Sequence, residues 1–83
     1  MILPTVHSNG TSREQLVQLR LDVVAPLRVA ISALQMACPH ARDFYPQEDG
    51  AYDFARGVWK GRLDQLFKLM GTLEKEALEI QNS

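Results

Sequence analysis

One cysteine, Cys38, is all that 83 residues offer, so no disulfide within the chain can staple it. A lone thiol also fits a reducing compartment. Charge of either sign is not in excess: nine Lys and Arg stand against ten Asp and Glu, for a net charge of -1. A duplex binder carries a basic stripe and a nucleic-acid mimic is heavily acidic, so both classes lose weight. No stretch approaches the ~20 apolar residues that span a bilayer, and the opening Met-Ile-Leu-Pro is too short for a signal core. These absences lead us to expect a cytoplasmic protein without a membrane partner.

Motifs that carry chemistry are scarce as well. No nucleophile motif, phosphate loop or pair of carboxylates in a predicted cleft is visible, which argues against an enzyme. Cys38, His40 and His7 are potential zinc ligands without a recognised ligand spacing. Neither a metal nor another cofactor is expected. Strand alternation, internal repeats and low-complexity tracts are also lacking.

What is present is helical periodicity, in two segments. Leu16, Leu19, Val23, Leu27, Leu34 and their neighbours recur at steps of three and four, which places them on one helix face. Both Thr11 with Glu14 and Ser12 with Gln15 match a capping box, so helix one begins near residue 12. Pro39 ends it near residue 37, because the residue before a proline is driven out of the helical region. Pro26, in the middle, predicts a kink and not a break. Residues 38–48 read as an irregular connector, and helix two runs over 49–81, with Pro46 and the acidic Glu48 and Asp49 suited to a helix start. The expected architecture is a single all-α domain: an extended arm over residues 1–11, then an antiparallel helical hairpin with a kinked first helix.

A chain this short buries only about 60% of its unfolded surface alone. Val17, Leu21, Val24 and Ile31 form a second apolar row beside the first, and Trp59 and Phe67 add to helix two. One partner helix cannot cover so wide a face, so these six residues are expected at an interface between copies. The predicted assembly is a four-helix-bundle dimer or a higher oligomer, unless the arm folds back over the excess. Among the apolar rows, Arg13 is placed to meet Glu76, whereas Arg20 and Arg62 find no evident partner in the chain. They are therefore expected to snorkel, or to meet a carboxylate of a second copy or an anionic ligand.

Two polar stretches are candidate contact sites: His7, Asn9 and Thr11 before helix one, and Arg42, Asp43, Phe44 and Tyr45 in the connector. The Arg42 fork suits a phosphate or a carboxylate, and the aromatics suit a base or a protein partner. About 26 helical residues at 1.5 Å each hold the two stretches about 39 Å apart. Only a second, antiparallel copy could bring them together.

With Thr5-Val6-His7, Asn9-Gly10-Thr11-Ser12, Arg42-Asp43, Tyr45, Gln47 and Ala51 in view, the chain resembles a family of small helical phage and prophage proteins of proteobacteria. Their T-V-H-x-N-G-T-S start and R-D-Y/F-Y connector are similar. The chain departs from that pattern at His40-Ala41, at Phe44 and in the longer run from Pro46 to Gly50. The family has no established activity, so the resemblance implies phage origin more than mechanism. Small phage helical proteins are commonly accessory factors, so the expected role is host-modulating or anti-defence, by stoichiometric binding of a host protein. The alternatives are an oligomeric sponge for a signalling nucleotide, using Arg42, Tyr45, His7 and Asn9, and a structural or assembly component of a phage particle.

Overall fold

Of the two capping boxes available, the chain uses the second. In a computed structural model that describes residues 2–83, Gln15 N–H donates to Ser12 Oγ at 3.1 Å, and Ser12 N–H donates to Gln15 Oε1 at 3.3 Å. Helix α1 follows as Arg13–Met36. It passes Pro26 unbroken; both Pro26 and Asp22 are exposed, which leaves the carbonyl that Pro26 cannot serve to water. The helix stops two residues short of Pro39, and Ala37 N–H returns to Ala33 O.

The connector holds one 3-10 turn, Ala41–Asp43, and a second turn closed by Gln47 N–H on Phe44 O at 3.0 Å. Pro46 lies within that second turn and not at a helix start. Helix α2 is Ala51–Gln81, two residues later than predicted. The reason is Gly50, whose φ of 87° places it in the left-handed region, so the helix cannot extend back through it. Among the described residues there is no strand, and no helix is long and apolar enough to cross a membrane.

The two helices pack against each other as an antiparallel hairpin. Val24 and Ile31 of α1 and Ala77 and Ile80 of α2 are the buried residues, with Ile80 only 1% exposed. Leu27 and Leu34 are half-buried beside them, as are Leu63, Leu66, Met70 and Leu73 on α2. Trp59 Nε1 donates to Leu34 O at 2.6 Å, and Arg20 Nε donates to Glu76 Oε1 at 3.2 Å. These two ties fix the register of the hairpin.

Several expectations are corrected by this seam. Val24 and Ile31 are its centre, unavailable to another copy, and Val17 is half-buried at its margin. Trp59 turns inward to Leu34 rather than outward. The first row divides: Leu27 and Leu34 join the seam, whereas Leu19 and Val23 lie along a flank, 58% and 45% exposed. On α2, Leu63 and Met70 take the inward positions, leaving Arg62 and Leu69 outside. Arg13 does not meet Glu76, because Arg20 does; Arg13 lies seven residues, or about 10 Å, further along α1. Its Nε is buried without a hydrogen-bond partner.

The result is a rod, 63 × 21 × 16 Å, with a radius of gyration of 18.7 Å where about 12 Å would suit a globule of this length. Ser12→Ala should lower stability by about 1 kcal/mol, whereas Thr11→Ala should change it by less than about 0.5 kcal/mol, as urea denaturation followed by circular dichroism would measure. Ile80→Ala should cost about 2–5 kcal/mol in the same measurement.

Candidate functional site

At the connector end, short turns bring aromatics and arginines together. The Phe44 ring lies 6.2 Å from the Tyr52 ring, tilted by 49°. Arg56 stands over the other side of the cluster, its guanidinium carbon 5.6 Å from the Tyr52 centroid, a cation–π distance. Its Nη2 also lies 3.9 Å from Asp53 Oδ1. Phe44 is half-buried and closes this end of the hairpin, so one of the predicted contact residues serves the fold as well. Tyr45 points away from it, 89% exposed. Arg42 and Asp43, in the single 3-10 turn, are exposed beside them.

Tyr52 and Arg56 were missed as site residues by the sequence reading. Their spacing was the available signal, since residues four apart on a helix are neighbours. Phe54, also exposed at this end, carried no signal beyond its type.

The other end holds the second polar stretch. Gly10 N–H donates to His7 O at 3.1 Å, closing a turn, and the His7 imidazole lies over Gly10 so closely that a methyl group there would meet Nε2 at 2.6 Å. His7 and Thr11 line a shallow groove with Pro4, Thr5 and Leu16, while Asn9 stands exposed in the turn. His7 and Thr11 are thus brought together with each other but not with Arg42 and Tyr45.

Of the two interface arginines, Arg20 is engaged within the chain by Glu76 and by the Leu16 carbonyl. Arg62 lies over Trp59, 5.0 Å from the ring centroid. Leu21 and Phe67 remain on the surface, 41% and 45% exposed. Among the described residues, no three His, Cys, Asp or Glu side chains gather where they could hold a metal ion. Comparison with known protein families, curated proteins and solved structures finds no match.

The shape of the aromatic end depends on the turn before α2. Gly50→Ala forces a side chain into the left-handed region and should cost about 1 kcal/mol or more. Gly57→Ala, in open space on an exposed helix turn, should instead gain up to about 1 kcal/mol. Chemical denaturation of the two variants would show opposite signs.

Proposed function

We propose that this chain is a small phage accessory protein that works by stoichiometric binding in the host cytoplasm, docking its connector end on a host protein. The single observation that carries the reading is the aromatic and arginine cluster at that end. Tyr, Trp and Arg dominate the residues that anchor protein interfaces; Phe44, Tyr52 and Arg56 pack together at one tip of the rod, with Arg42 and Tyr45 exposed on the adjoining turns of the connector. Tyr45 offers a large amphipathic side chain almost wholly to solvent. The phage origin is supported by the resemblance of the arm and connector motifs.

The working unit in this reading is a homo-oligomer, with two hairpins forming a four-helix bundle. In support, the accessible surface is 6334 Å², against about 5,000 Å² for a compact monomer of this mass. Part of the surplus is the extended arm; the rest lies on the helix flanks.

The reading is tested with tagged protein and host lysate. Wild type should retain a host protein in a fixed ratio, and Arg42→Ala and Tyr45→Ala should each lose it at least about tenfold while melting at the wild-type temperature. Retention by both variants would rule out the connector end as the docking site. Native mass spectrometry of purified protein supplies the contrast: a bound nucleotide lost in the same variants would assign sequestration of a small molecule instead.

A further inference from the structure

The hairpin has two broad faces of different chemistry. One carries grooves lined by Val17, Leu21 and Leu78, and by Arg28, Ser32 and Phe67, so these residues share a side. Charges cross that side, with Arg28 Nη2 3.6 Å from Glu74 Oε1 and Lys60 Nζ 3.0 Å from Asp64 Oδ2. The opposite face takes Leu19, Val23 and Ala30 from α1, with Val58 and Leu69 from α2. Leu69 is 47% exposed there. On α1 the stripe of this face runs through positions 16, 19, 23, 26, 30, 33 and 37 without a charge. Its α2 half carries Glu76, paired with Arg20, and Arg62, which lies over Trp59, and Asp22 borders the stripe beside Leu19.

We infer that this face, with its uncharged α1 stripe, is where a second copy of the chain docks, α1 lying antiparallel on its counterpart with the two-fold axis crossing near Pro26. The inference rests on the assembled reading above and adds which face pairs and in which direction. Leu19, Val23, Val58 and Leu69 stand 58%, 45%, 39% and 47% exposed on this face, apolar side chains that only a partner could cover. A copy of the chain can cover such a face where its residues are complementary to themselves, as a two-fold contact requires.

The stripe has that property in one direction only. Its first half is large, Leu16, Leu19 and Val23; its second half is small, Ala30, Ala33 and Ala37. Antiparallel pairing about Pro26 sets each large residue against a small one, so the layers interdigitate. Parallel pairing would set large on large and small on small.

The same axis also fits α2. The Arg20–Glu76 and Trp59–Leu34 ties put Pro26 level with the turn of α2 near Leu69. Leu69 then meets its own counterpart, Gln65 faces Thr72, and Arg62 comes beside the second copy's Glu76. Every neighbouring helix in the resulting bundle is antiparallel, which also pairs the helix dipoles favourably. The axis further lays the arm of one copy beside the connector of the other, so His7 and Thr11 approach Arg42 and Tyr45 across the pair.

Light scattering on the full chain tests the face. Wild type should be a dimer at high micromolar concentration. Leu19→Glu and Val23→Glu should weaken it more than about 100-fold while keeping the helical circular dichroism, because a carboxylate would be buried without a partner. Leu21→Glu and Leu78→Glu, on the other face, should stay dimeric. Dimers broken by the second pair of variants and not the first would overturn this face and leave the assembled reading standing. A monomeric wild type would overturn both. Direction is read by oxidising a mixture of Val23→Cys and Ala30→Cys proteins in a Cys38→Ser background. Disulfides joining position 23 to position 30 are expected, and disulfides formed only between identical positions would overturn the antiparallel arrangement. The cross-link also decides the matter should the glutamate variants fail to fold.

Discussion

Two helices can hide one stripe each from water, and that limit governs this molecule. The stripe that α1 gives up is Val24 and Ile31 with Leu27 and Leu34; α2 answers with Ala77, Ile80 and the half-buried row behind them. Everything not on those lines stays wet, whatever its chemistry. A rod with apolar flanks and free ends is the direct result. The seam is locked in register by polar ties rather than by close packing alone: the Trp59 indole to the Leu34 carbonyl, and Arg20 to Glu76. An indole N–H turned into a seam needs an acceptor, and the Leu34 carbonyl, near the end of α1, provides it.

The free ends differ in construction. At the connector, Gly50 turns the chain into α2 and Phe44 closes the hairpin against Tyr52, which leaves Tyr45 and Arg42 exposed beside that contact. At the arm, a single backbone turn and the capping box of Ser12 do the ordering. Loops positioned by a rigid scaffold are where binding residues concentrate. Of the two ends, only the connector combines ordered aromatics with guanidinium groups.

Much of the fold was legible because it was written in local chemistry. Ser12 with Gln15 specified the start of α1, Pro39 its limit, and the absence of strand alternation the all-helical class. The facing of the helices was not legible, and the reason is particular. On α1 two apolar rows lie side by side, and the wheel does not say which one turns toward α2. Arg20 lies beside the Val24 and Ile31 line, and Glu76 of α2 satisfies it within the seam. On α2 a shift of one residue separates Leu63 and Met70 from Arg62 and Leu69. Over many turns a period of 3.6 drifts against a repeat of 3.5, enough to exchange such neighbours. The start of α2 was misplaced because acidic residues after Pro46 satisfied the rules for a helix start while Gly50 required a turn. For the site, residue type located Arg42 to Tyr45, whereas the contribution of Tyr52 and Arg56 depended on their spacing along a helix.

A core reduced to Val24, Ile31, Ala77 and Ile80 has a bearing on turnover. With so little to hold an isolated copy shut, its exposure to proteases would follow the population of the open form. The proposed pairing would protect copies in proportion to how much chain surrounds them. Lifetime would then rise with abundance, so that a trace of leaked synthesis is cleared while a burst persists, a dosage threshold set by nothing more than the thinness of the interior.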